Sequence, residues 1–338
     1  MLKVIYAGSP YASSLTLKKI LEVQQKNNFK VVGILTNPPS AKGRHKELIA
    51  TEVGLTAQEW NKNNNEQITI FTPEHLDESC RNQIASLNAD LLVCFAYGHI
   101  FGPKFLSLFK TGAINLHPSL LPKYRGATPV NSAILNMDEE TGFSIQEISL
   151  ACDEGNLLCV QKRTLDKTET AESLLNEFAI SGADALIEIL SQTARDNQLP
   201  PSKAQTGQAS YCQMIKKEDG KINWTSSAME IDAKIRAYTP WPSSYTDFNG
   251  QTLKIIKATT AQKLGINDEE LLKDCVPPVE KKTFTPGTFI GMNKKYGVLI
   301  ACTEGILVAQ ELQLQGKKTM LYKDFMNGVR NISGTVLQ

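Results

Sequence analysis

DLLVCF, residues 90–95, runs from its opening aspartate through five residues with no polar interruption. A strand with one solvated face alternates polar and apolar side chains. A strand without that alternation is buried on both faces, as in a parallel sheet covered by helices on each side. LKVIYA (2–7), KVVGILT (30–36) and QITIF (67–71) have the same character, and helical periodicity fills 11–25 and 51–63 between them. Strand–helix alternation of this kind predicts a doubly wound, Rossmann-like α/β domain with a mainly parallel sheet. The first strand runs into Gly8-Ser9-Pro10 with no G-x-G-x-x-G, so the dinucleotide fingerprint is missing. Gly8 either permits a tight turn or contacts substrate.

Ala113 to Leu116 makes a fifth strand, 143–149 and 157–163 continue the β pattern, and 171–193 is a long helix. The fifth strand opens the stretch GAINLHPSLLPKYRGATPV, 112–130, which places Asn115 and His117 two residues apart. In an extended chain, side chains at that spacing point to the same side. An amide donor and an imidazole then emerge together at the C-terminal end of a parallel strand, where open α/β sheets bind ligands. An amide can donate to an oxygen that becomes negative during acyl transfer, and an imidazole moves protons near neutral pH. Asp153, in the polar turn of SLACDEGNLL (149–158), supplies a carboxylate from a separate loop. Adjacent Cys152 reads as a packing residue rather than a nucleophile.

After residue 193 the pattern changes. The polar, proline-containing segment 194–208 is the expected linker between a first domain (1–193) and a second (209–338). The second holds an amphipathic helix near 226–238 and short strands at 252–258, 297–302 and 305–312, which predict a small OB-like β-barrel. Residues 262–286 read as a polar insertion, partly helical at 268–274, that projects away. Trp224 and Trp241 read as core and turn residues of the barrel.

At 338 residues, 41% hydrophobic and 21% charged, the composition is that of an ordinary soluble two-domain protein. The net charge of +1 hides an asymmetry: 17 Lys and Arg face 13 Asp and Glu from residue 206 onward. That mild basic excess suits a phosphate-rich partner without proving one. Seven scattered cysteines with no C-x-x-C pair, and only four histidines, argue for reduced thiols in the cytoplasm and against a zinc site. No apolar run approaches membrane-spanning length.

NLHPSLLPKYRG (115–126), with Asp153 and Gly155, resembles the signature of the folate-dependent formyltransferases. Ile222-Asn223-Trp224 and IRAYTPWP (235–242) resemble the second domain of the methionyl-tRNA formyltransferases among them. The resemblance spans nearly the whole chain in the same domain order. It implies transfer of a formyl group from 10-formyltetrahydrofolate to the α-amine of methionine on charged initiator tRNA, with no metal. Asn115, His117 and Asp153 take the catalytic positions. Tyr97 and Gly98, with the turn Ser119, Leu120, Leu121 and Pro122, take the folate-contacting positions. Lys42, Arg44 and Lys46 stand in the loop that meets the tRNA acceptor stem, and Lys221, Lys234, Arg236, Lys254 and Lys257 are candidates for its backbone. Arg125 either lies near the acceptor substrate or caps the following helix.

The chain departs from the family at Ser9 and Tyr11, at Cys152 and Glu154 beside the carboxylate, and in the insertion. A monomer is expected. Three alternatives stay open: a formyltransferase acting on a small amine such as an amino sugar, a hydrolase releasing formate, and an RNA-binding protein without catalysis.

Overall fold

A computed structural model describes residues 1–42, 47–279, 283–329 and 332–338. These residues divide into two compact units. The first comprises Met1–Pro129, Glu140–Thr164 and Leu174–Gln213; the second comprises Val130–Glu139, Leu165–Ser173 and Met214–Gln338.

The first unit is built on a seven-stranded sheet: β1 (Leu2–Ala7), β2 (Phe29–Leu35), β3 (Thr69–Phe71), β4 (Leu91–Cys94), β5 (Gly112–His117), β6 (Glu140–Glu147) and β7 (Leu157–Thr164), in the spatial order β7-β6-β5-β4-β1-β2-β3. The pairs from β3 to β5 are parallel; β6 and β7 are antiparallel. Leu91, Leu92 and Val93 are wholly buried, as the unbroken apolar run requires. Helices α1 (Tyr11–Val23), α2 (Glu52–Asn63), α3 (Glu78–Ala85) and α4 (Ala171–Asp196) accompany the sheet.

Strand order reverses at β1: β2 and β3 lie to one side, β4 and β5 to the other. The C-terminal ends of β1, β4 and β5 therefore border the crevice where such folds take ligands. Gly8 is needed there for close approach, since a Cβ on it would lie 2.6 Å from the Phe95 carbonyl. On the far face of β5, a Cβ on Gly182 of α4 would meet Leu116 Cδ2 at 2.6 Å. That close packing fixes β5 from behind and turns Asn115 and His117 toward the crevice.

The second unit carries α5 (Ala228–Ala237) and an antiparallel sheet of β8 (Ser244–Phe248), β9 (Gln251–Thr260), β10 (Cys275–Val276), β11 (Phe289–Asn293), β12 (Gly297–Ala301), β13 (Ile306–Leu314) and β14 (Met320–Leu321). Its path is β8-β9-β13-β12-β11-β10, with β14 beside β13. The last residues of the chain complete the curl. Asp247 of β8 exchanges backbone bonds with Gln338 at 2.7 and 3.2 Å, while Phe289 of β11 donates to the Thr335 carbonyl at 2.8 Å. Trp224 is buried and donates Nε1–H to Thr246 Oγ1 at 3.0 Å.

Trp241 lies in the turn after α5 with 58% of its surface exposed. One expectation needs correction. The insertion does not simply project: its helix Asp268–Lys273 buries Leu271 completely, and Leu271 and Cys275 pack with Ile290, Leu299 and Val308. Every third or fourth residue of that helix can face inward, so a segment polar on average still supplies core.

Candidate active site

β5 delivers Asn115 and His117 at its end, and antiparallel β6 returns alongside with Gln146 opposite Asn115 and Ser144 opposite His117. The chain then turns through 148–156, where Asp153 adopts the left-handed conformation (φ 56°). Gly155 allows the turn to close on β6, since a Cβ there would lie 1.7 Å from the Glu147 carbonyl oxygen.

The Asp153 carboxylate is held on both oxygens. Gly126 N–H donates to Oδ2 at 2.8 Å and Gln146 Nε2 donates to Oδ1 at 2.8 Å. The left-handed Gly126 (φ 110°) passes so near the Cys212 carbonyl that a Cβ would sit 2.3 Å from it. His117 Nδ1 lies 3.6 Å from Asp153 Oδ1, and Nε2 lies 2.9 Å from the Tyr124 carbonyl. A carbonyl only accepts, so Nε2 carries the proton and Nδ1 offers its lone pair toward Asp153. The ring is thus oriented by the Tyr124 main chain. A hydrogen bond from the ring to Asp153 is not made at 3.6 Å.

Burial lowers the His117 pKa from its ordinary 6.5, opposed by the Asp153 charge and the Tyr124 hydrogen bond. The imidazole is neutral at pH 7 and ready to accept a proton. As pH falls through about 6.5 the unfolded chain takes up a proton before the folded one, so stability falls. His117→Gln should remove that contribution. Its urea midpoint should drop less than the wild-type midpoint between about pH 7.5 and 5.5; parallel drops would contradict a buried neutral imidazole.

The Asn115 side-chain amide, half-buried, makes no hydrogen bond among the described residues. It is a free donor opposite the residue that holds Asp153. Cys152 is exposed and its thiol donates to Asp153 Oδ2 at 3.4 Å. Burial and the neighbouring carboxylate push its pKa up to about 11, so it is a poor nucleophile rather than a packing residue.

Of the folate-contacting positions, Gly98 is exposed in a left-handed conformation, and Tyr97 is buried with its hydroxyl unpartnered, stacked 5.7 Å from Phe101. Ser119 is fully buried; its hydroxyl donates to the Lys123 carbonyl at 2.6 Å, and its carbonyl accepts from Ser144 Oγ at 2.8 Å. Leu120 is half-buried, and Leu121 and Pro122 are buried. Arg44 and Lys46 lie outside the described residues, as does the Lys42 side chain, whose backbone ends the short strand Ser40–Lys42. Arg236 is not available to a polymer backbone. It is buried, with Nε 2.9 Å from Asp232 Oδ2 and Nη1 donating to the Glu169 carbonyl at 3.1 Å.

Sequence reasoning missed three groups. Gln146 bonds the Asp153 carboxylate, the Tyr124 carbonyl bonds the His117 ring, and Gln205, from the segment read as linker, bonds the Asp153 turn. Arg125 Nη1 meets Glu154 Oε1 at 2.8 Å and Nη2 donates to Gln205 Oε1 at 2.8 Å. Among the described residues no group of three His, Cys, Asp or Glu could hold a metal, and no helix is long and apolar enough to cross a membrane.

Residues 2–190 match the family model described as formyl transferase, and residues 214–330 the one described as formyl transferase, C-terminal domain. Methionyl-tRNA formyltransferase of Treponema denticola is 40% identical over 330 residues, covering 97% of each chain. Among solved structures, methionyl-tRNA formyltransferase from Clostridium thermocellum aligns with a TM-score of 0.53 at 18% identity, over 77% of this chain and 93% of that one. The sugar 3N-formyltransferase WlaRD, solved in the presence of dTDP and 5-N-formyl-THF, aligns with a TM-score of 0.58 at 21% identity, over 94% and 99%.

Proposed function

Because the chain belongs to the formyl transferase family, we propose that it moves a formyl group from 10-formyltetrahydrofolate to the α-amine of methionine carried by initiator tRNA. The observation that carries this reading is a free amide, a neutral imidazole and a clamped carboxylate at one strand end, in a chain 40% identical to a methionyl-tRNA formyltransferase. The folate donor also accords with the formyl-folate present with WlaRD.

The neutral amine attacks the formyl carbon and its carbonyl oxygen takes up negative charge. Asn115 donates to that oxygen. The amine sheds a proton to the pair of acceptors 3.6 Å apart, His117 Nδ1 and Asp153 Oδ1. Collapse of the tetrahedral centre breaks the bond to N10 of the folate, which receives a proton from the same pair. No covalent enzyme intermediate is needed, since the amine is itself the nucleophile. The folate lies along the end of β4 at Tyr97 and Gly98 and against the turn Ser119–Pro122. Ser119 and Tyr97 shape that wall from behind, and Gly98 and Leu120 offer surface.

The test is incubation with 10-formyltetrahydrofolate and charged initiator tRNA, with detection of the N-formylated methionyl ester. We expect formylation of the tRNA and no formylation of nucleotide-linked amino sugars. Preference for the sugar amine would replace the acceptor, release of formate alone would make the chain a hydrolase, and RNA binding without turnover would leave a binding protein.

A further inference from the structure

We propose that Gln205 is a positioning residue that holds the Asp153 turn in its reactive conformation, in the reaction set out above and resting on that reading. Its Nε2 donates to the carbonyl of Asp153 at 2.8 Å and to the carbonyl of Gly155 at 2.8 Å. The two hydrogens of one amide thus pinch the turn on either side of Glu154. Its Oε1 accepts from Arg125 Nε at 3.3 Å and Nη2 at 2.8 Å. Carbonyls only accept and a guanidinium only donates, so this amide has one possible orientation. Arg125 closes a ring by meeting Glu154, and Tyr211 bridges the two, its hydroxyl 3.1 Å from Arg125 Nη1 and 3.3 Å from Glu154 Oε1.

The need for such a clamp is visible in the backbone. Asp153 is a non-glycine residue in the left-handed region, a conformation that persists only where surrounding bonds over-determine it. The segment carrying Gln205 is itself anchored to both loops of the site. Lys203 exchanges backbone bonds with Leu157 at 2.7 and 2.9 Å, and Ser210 accepts from Arg125 N–H at 2.9 Å and donates to the Pro122 carbonyl at 3.2 Å. Gln205 therefore projects from a fixed strap, and the Asp153 turn and the segment that follows His117 are tied through it.

Two variants test this. Gln205→Met keeps the length and removes every hydrogen bond. Gln205→Glu keeps the acceptor for Arg125 but turns a second oxygen on the two carbonyls. Both should lower kcat at least about tenfold while KM for folate and for the acceptor stays within about threefold, the signature of an interaction realised in the transition state. In Gln205→Met, NMR titration of the His117 imidazole should move to lower pH, because the carboxylate that favours its charged form has drifted away. A kcat within about twofold of wild type in either folded variant, or an unmoved His117 titration in Gln205→Met, overturns the proposal. The titration needs no substrate. A wild-type chain that formylates nothing would sink the reading of function, and the titration would still decide this one.

Discussion

Asn115→Ala should lower kcat for formyl transfer about 10²–10³-fold, or about 3–4 kcal/mol of transition-state stabilisation. The size follows from where the amide stands. It is half-buried beside the carboxylate clamp, and no partner among the described residues competes for its N–H groups. A donor with no competing partner acts on the charge that develops on the formyl oxygen, and that charge exists only as the amine attacks. KM for both substrates should therefore stay within a few-fold. The fold should not suffer, since the lost amide supports nothing in the free chain. Asn115→Asp is the sharper test. It keeps the shape, removes the donor and adds a negative charge opposite Gln146, so it should be at least as slow as the alanine variant. Single-turnover rates with 10-formyltetrahydrofolate and charged tRNA measure the effect directly. A loss below about tenfold would take the oxyanion away from Asn115.

The parts of this site that were legible in the sequence are those whose signal is local. The unbroken apolar run of β4 announces burial on both faces. The i, i+2 spacing of Asn115 and His117 fixes their common side once the strand is granted. Asp153 is legible as a carboxylate in a polar turn after a strand. What was illegible depends on partners distant in sequence or on main-chain atoms. Gln205 sits in a polar, aperiodic run that reads as linker by every compositional rule, and its partners lie at 125, 153 and 155. The Tyr124 carbonyl that sets the His117 tautomer has no side-chain signature at all. Arg236 was a candidate for a polymer backbone because sequence does not show which side of a helix a cation faces, and it lies on the inward face of α5.

That arginine belongs to the arrangement whose loss should cost the fold most. Asp232 is wholly buried and its Oδ2 meets two cations, Arg236 Nε at 2.9 Å and Lys263 Nζ at 2.6 Å. Lys263 comes from the segment that reads as an insertion, so the carboxylate ties that segment to α5. Asp232→Ala leaves two largely buried cations without their counter-charge, and breaking a buried pair from one side typically costs about 3–5 kcal/mol. Lys263→Met should cost much less, because the Asp232–Arg236 pair survives and the aliphatic stem is replaced by one of similar length. The contrast separates charge from packing: if packing around α5 were the source of stability, the smaller Asp→Ala change would be the milder one. Urea unfolding followed by fluorescence of Trp224, buried in the same core, reports this unit. An Asp232→Ala loss below about 1 kcal/mol would mean that water reaches the cations and replaces the carboxylate at little cost. Asp232→Asn then isolates the charge itself. It keeps the volume but offers the cations only a neutral carbonyl oxygen, so it should fall between wild type and Asp232→Ala, closer to the latter.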